Sequence, residues 1–335
     1  NWSPMIGRGS TADIVSPDVA GNARADSVAP DLGAYESNLN SPATYSSVTW
    51  HVATTGIDSA VYGSSASADS PFNTLQWAMN HLLEGDSVII HPGDHAGSAD
   101  NGGKSVHIRG NTLAPDEVSI LGELELSGGN NSVNLLRVSN TSGDGINISA
   151  GEATIAYVLV DNSSGKAIAL NTVAAATLNN ITIYDNGYGL YDNSSGSITM
   201  VNSIIDGDPN YNQPGWWLNF IWSTDSLTGP PVVTYSYALS WGNPYAGTGN
   251  IDSDPLFVDA ANGDFNLDLL SPCIDTGDPS AVYDTDSTVA DMGAFPRLRQ
   301  FLTGTSDGDI TVSADTTVII TENFTVSETD TMQLE

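Results

Sequence analysis

The chain of 335 residues has one cysteine, Cys273, so no disulfide can form within it. It has only 8 Lys and Arg against 40 Asp and Glu, a formal charge of −32. Proteins that bind nucleic acid need a basic footprint, and this deficit of cations excludes one. The same deficit argues against adhesion to an anionic bilayer. No run of 18 apolar residues occurs and no leader pattern is visible, so insertion into a membrane through a helix is not expected.

What the sequence has instead is repetition. Ser132-Val133-Asn134-Leu135-Leu136-Arg137-Val138-Ser139-Asn140 aligns with Thr154-Ile155-Ala156-Tyr157-Val158-Leu159-Val160-Asp161-Asn162 at an offset of 22, apolar on apolar and polar on polar. The register returns at Thr177–Ile183 and, more loosely, at Thr199–Ile205. A second track runs between these segments: Gly145-Ile146-Asn147-Ile148, Ala167-Ile168-Ala169-Leu170 and Gly189-Leu190-Tyr191. A short fixed period means stacked units that share one core. Within each unit apolar residues alternate, the strand signature, and Asn, Asp, Ser and Gly separate the runs as turn formers. About 22 residues at ~3.3 Å each provide three short strands with tight corners. The expected fold is all-β, a right-handed parallel β-helix. Asn140, Asn162 and Asn186 read as a stacked corner ladder with a structural role. Thr74 to Leu83 carries Leu75, Ala78, Met79 and Leu82 at helical spacing, which predicts a capping helix with Asn73 as N-cap and Gly85 as its stop.

Three stretches frame this repeat. One opens it: Trp50-His51-Val52-Ala53-Thr54-Thr55-Gly56, then Ser70-Pro71-Phe72-Asn73-Thr74-Leu75, then Glu84-Gly85-Asp86-Ser87-Val88-Ile89-Ile90-His91-Pro92-Gly93. Another follows it, Gly249-Asn250-Ile251-Asp252-Ser253-Asp254-Pro255-Leu256-Phe257. The third closes it, Ser271-Pro272-Cys273-Ile274-Asp275-Thr276-Gly277-Asp278-Pro279 and Ala290-Asp291-Met292-Gly293-Ala294-Phe295. The logic of the close recurs upstream, in Ser3-Pro4-Met5-Ile6 and Pro30-Asp31-Leu32-Gly33-Ala34-Tyr35. Together these motifs resemble bacterial secreted right-handed parallel β-helix proteins of the pectate-lyase-like superfamily, of the choice-of-anchor type. The resemblance covers most of 46–296. With the change of pattern after Arg299, where Asp309–Val312 and Thr317–Ile320 alternate as strands, it divides the chain into 1–45, the tail of a preceding β-helix module or a cap; 46–299, the β-helix; and 300–335, the start of a further β-rich module or a cap. It implies an extracellular or cell-surface location, which the lone thiol and the stacked core also suit.

Three groups of side chains are candidates for function. The first is His91, Asp94, His95, Lys104, His107 and Arg109, where cations and imidazoles beside a carboxylate could bind a uronate and abstract a proton. Lys104, His107 and Arg109 are its catalytic candidates, against the plain alternative of structural or surface residues. The second is the aromatic excursion holding Tyr211, Trp216, Trp217 and Trp222, with Trp241 and Tyr245 joining it. Such rings stack on sugar faces or anchor interfaces, although they could equally fasten the loop to the helix. The third is acidic: Asp252 with Asp254, and Asp284 with Asp286, alternate as calcium ligands do. The resemblance implies Asp-x-Asp-Gly at the second pair, where this chain has Ser287. Polysaccharide lyases of the superfamily use calcium and a basic residue on the flank of the coils. Here the central coils hold only Arg137 and Lys166, and the positions matching Arg137 are Leu159 and Thr182.

Two classes of function stay open. The favoured one is a non-catalytic structural or adhesive module of a large bacterial surface or fibre protein, whose partners are a glycan or neighbouring copies of the same protein. The other is a calcium-dependent polysaccharide lyase or glycoside hydrolase.

Overall fold

The structure, a computed structural model, describes residues 47–59, 68–139, 142–206, 221–223, 231–240, 243–302, 310–312, 317–320 and 332–334. The chain forms two compact units, Asn1–Ser47 and Val48–Glu335, and the coils belong to the second. They make a right-handed parallel β-helix.

The repeat read from the sequence is the pairing register. Val133 lies beside Ile155, Val138 beside Val160 and Ile146 beside Ile168, 22 apart in each case. Long strands such as Asn130–Ser139, Gly151–Asp161 and Val173–Tyr184 supply two arms of each coil. They bend at Leu135, Tyr157 and Asn180, all left-handed with φ between 50° and 55°. Bulky residues adopt that conformation only where neighbouring coils hold them there. Shorter strands, among them Leu124–Leu126, Ile146–Ile148, Lys166–Asn171 and Tyr188–Asn193, supply the third arm in a separate six-stranded sheet.

The side chains that each arm sends inward stack into columns from coil to coil. The first-arm column runs Trp50, Val88, Ile108, Val133, Ile155, Leu178, Met200, Val233. The third-arm column runs Ala99, Leu124, Ile146, Ile168, Leu190, Ile221. All of these are buried, and each large aliphatic contributes about 1.5–3 kcal/mol.

A helix, Leu75–His81, lies against the first coil and buries Leu75, Ala78 and Met79 as expected. Its N-cap is Thr74, not Asn73: Thr74 Oγ1 accepts from Trp77 N, while Asn73 Nδ2 donates to the Thr54 carbonyl. The helix stops at Leu82, three residues before the left-handed Gly85. Beneath it Trp50 stacks on Phe72 at 5.6 Å and Phe72 on His81 at 5.3 Å. Buried Asp86 fastens this end, accepting from Val48 N, Trp50 Nε1 and Leu83 N.

The expected asparagine ladder does not form between Asn162 and Asn186. The coil after Asp161 carries one extra residue, so Asp161 pairs with Tyr184 at an offset of 23. Asn162 is exposed and left-handed, as is Asp185, whereas Asn186 is buried opposite Ser163, accepting from its backbone N–H and donating to the carbonyls of Val160 and Tyr184. Asn140 lies outside the described residues.

Beyond the coils, 257–297 returns as a strap across the second arm. Its Phe265, Ala294 and Phe295 cover Leu159. Asn180 Nδ2 donates to the carbonyls of Asp291 and Gly293, and Asn202 Oδ1 accepts from Asp278 N. Gly293 sits at φ +97°, where a Cβ would come 2.8 Å from Ile204 Cδ1. That contact gives the glycine of the closing motif its physical reason. Further on, Arg299–Leu302 pairs in parallel with Thr317–Ile320, and Ile310–Val312 with Met332–Leu334.

Candidate functional site

The basic group near the N-terminal coils comes apart in three dimensions. His95 is not on the surface. Its strand, Gly93–Ala96, pairs so that His95 heads the second-arm column His95, Ile120, Val138, Val160, Ile183, Ile205. It is 3 % exposed, its Nε2 donates to the His91 carbonyl at 2.8 Å, and its Nδ1 has no hydrogen-bond partner. Burial pulls its pKa below the ordinary histidine value, so it stays neutral where a free histidine would begin to charge.

His107 and Arg109 point outward from Val106–Gly110, whose burial alternates strictly. His107 Nδ1 lies 2.9 Å from Ser132 Oγ in the next coil. Arg109 is exposed, in register between Ile89 and Asn134. Lys104 precedes the strand, and its carbonyl accepts from the buried Asn101 amide. His91 meets a residue absent from the candidate group: His51 Nδ1 lies 3.0 Å from His91 Nε2, with the rings 5.2 Å apart. His51 sits in Thr49–Val52, which pairs with the strand Asp86–Ile90 that leads into His91. Pairing the first two strands of the stack at the sequence level would have found it.

The flank is the other place where this fold can carry chemistry. Its outward column on the second arm runs Asp94, Ser119, Arg137, Leu159, Thr182, Ile204. Arg137 points outward but is not available. Its Nε donates to Asp161 Oδ1 at 2.8 Å and its Nη2 to Asp161 Oδ2 at 2.5 Å, with the carboxylate fully buried. The bonds from Asp161 raise the arginine pKa further, with Asp116 and Asp94 adding to the effect. A guanidinium held this way does not accept a proton. Leu159 and Thr182 are also outward, yet both are buried because the strap covers them; Ala294 N donates to Thr182 Oγ1. Lys166, the other cation of the central coils, reaches Asp144 of the preceding coil at 3.3 Å and lies over the Tyr191 ring.

The acidic pairs are parts of turns. Asp254 Oδ1 accepts from Leu256 N in an exposed loop that also holds Asp252. Asp284 turns inward to accept from Asp291 N, whereas Asp286 accepts from the backbone and hydroxyl of Thr288. Ser287 takes φ +69°, so a serine holds the left-handed conformation that the resemblance assigns to glycine. Burial pushes Asp284 up to about 6 and Asp291 up to about 7. Among the described residues no three His, Cys, Asp or Glu side chains group as metal ligands. Burial likewise pushes the Cys273 thiol up to about 12, which makes it inert.

Of the aromatic loop, Tyr211, Trp216, Trp217, Trp241 and the side chain of Trp222 lie outside the described residues. The Trp222 backbone extends the third arm beside Tyr191. Tyr245 packs against the core, and Asn250 Nδ2 donates to its carbonyl.

No protein-family model matches the chain, and no curated protein does. Among solved structures it is similar to the crystal structure of pectate lyase Pel9A, at 12% identity and a TM-score of 0.31, over 76% of this chain and 97% of that one. A likeness this loose bears on neither reaction nor ligand.

Proposed function

We propose that this chain is a non-catalytic structural and adhesive module of a large extracellular bacterial surface protein, with a rigid β-helical rod at its centre. The observation that carries the reading is what the charged and polar side chains of the coils bond to. Arg137 reaches Asp161, Lys166 reaches Asp144, and His107 meets Ser132, each in an adjacent coil. Ser149 with Glu125, Asn171 with Asn147 and Ser127 with Asp100 do the same. The cations of the central coils, which a lyase would need free, instead zip the rod together, while Arg109 stays exposed, and the strap covers the flank at Leu159 and Thr182. Calcium, in this reading, would act on acidic turns and not in chemistry. The partner would be a glycan met by the aromatic loop, or a neighbouring copy of the same protein.

The test is a glycan array run beside turnover assays on polyuronates and neutral glycans, with and without calcium. Binding without product, lost in Trp216→Ala or Trp217→Ala, is the expected result for an adhesive module. Calcium-dependent release of unsaturated products or reducing ends would overturn the proposal.

A further inference from the structure

His51 and His91 are the one pair of imidazoles that face each other with ring nitrogens at hydrogen-bonding distance among the described residues. Two histidines bound to one tetrahedral zinc at ~2.0–2.1 Å each have their nitrogens roughly 3.3 Å apart. Here His51 Nδ1 and His91 Nε2 are 3.0 Å apart, so small rotations of the two rings open the gap for an ion. Both backbones are already fixed. The His51 carbonyl accepts from Phe72 N, and His91 N donates to the Val52 carbonyl. His95, buried in the core, holds the His91 carbonyl from below, and Pro92 fixes the turn that follows.

We infer that His51 and His91 form a two-imidazole site for a borderline divalent transition ion, zinc first among them, that clips the first coil to the second. Water completes the coordination, since no third His, Cys, Asp or Glu of the described residues joins the pair. The ligand chemistry separates this site from the acidic turns. Imidazole nitrogen selects zinc, copper and nickel, whereas calcium takes oxygen.

Proton bookkeeping gives Asn111 a part. In the ion-free pair His91 Nε2–H donates to His51 Nδ1, and Asn111 Nδ2 approaches His91 Nδ1 at 3.4 Å. An ion needs both facing nitrogens bare, so the His91 proton moves from Nε2 to Nδ1 and none is released. Asn111 then turns its amide over and accepts from Nδ1–H through its own oxygen. It is a positioning residue, one bond removed from the ion.

The experiment is zinc titration of the full chain at neutral pH by calorimetry, with calcium present to occupy carboxylates. Copper-loaded protein is examined in parallel by electron paramagnetic resonance. The expected result is one site, abolished in His51→Gln and in His91→Gln, kept in His107→Gln, and weakened roughly 10–100-fold in Asn111→Leu. Zinc should raise the melting temperature of the parent and not of the two histidine variants. Nitrogen hyperfine coupling from two imidazoles in the copper spectrum supports the site without relying on any variant. Zinc binding that is unchanged in His51→Gln and His91→Gln, or a copper spectrum with oxygen ligands alone, would overturn it.

Discussion

Arg137 and Asp161 face each other across adjacent coils through two parallel bonds, with the carboxylate fully buried and the guanidinium at its rim. Removing one partner strands the other. Arg137→Leu should cost about 3 kcal/mol, because Asp161 would be left charged and uncompensated. The double variant Arg137→Leu/Asp161→Leu should recover most of that loss. Denaturant unfolding of the parent, both single variants and the double variant checks it. A double variant no better than Arg137→Leu would refute the buried-charge account.

Val158 lies between Leu136 and Ile181 inside the stack, fully buried. Val158→Asp places an unpaired carboxylate in a dry column and should cost more than about 4 kcal/mol. Cooperative melting should be lost, as followed by circular dichroism. An unchanged melting curve would mean that the coil register is wrong.

Gly293→Ala introduces a Cβ 2.8 Å from Ile204 Cδ1 and 3.1 Å from Thr182 Oγ1, at φ +97°. The strain, about 1–3 kcal/mol, should lift the strap and leave the coils folded. Limited proteolysis should then cut within 257–297 first, and the main melting transition should move little. Gly263→Ala serves as the control, because it is also left-handed but meets nothing within 4 Å.

Asp284 and Asp291 have folded pKa values raised to about 6 and about 7 by burial, against ~3.9 for a free aspartate. The folded state therefore binds their protons more tightly than the unfolded state. Stability from these groups is fully present below about pH 4 and is lost as pH rises through 7. His51 and His95, both lowered by burial, act in the opposite direction, and their contribution is lost as pH falls below ~6.5. Asp291→Asn should flatten the decline in melting temperature between pH 4 and 7 without touching the histidine limb. A decline as steep as that of the parent would refute the assignment.

The coils were legible because their contacts are periodic: a residue and its neighbour recur at one spacing, and alternation alone separates inside from outside. The failures have one physical cause each. Leu159 and Thr182 share the outward register of Arg137, but their burial depends on Ala294 and Phe295, more than a hundred residues away, which no local pattern records. Asn162 and Asn186 are 24 apart, whereas the pairing there runs at 23 after a bulge at Ala174, so Asp185 and not Asn186 falls opposite Asn162. The inward turn of His95 is invisible in the spacing of His91, Asp94 and His95, because the turn at Pro92-Gly93 resets the strand parity that sends it inward. The pairing of His51 with His91 joins positions 40 apart, outside the 22-residue period that organised the reading.

The strap also decides how the rod meets a pull. It grips Asn180 and Asn202, in two successive coils toward the C-terminal end of the stack, from positions 278–293. Tension entering through the chain beyond Arg297 is therefore shared between two coils and not delivered to the last rung alone. A stack pulled at its rim opens one ladder at a time, like a zipper. A stack gripped across two coils has to move both ladders at once, and shear of that kind is harder to start.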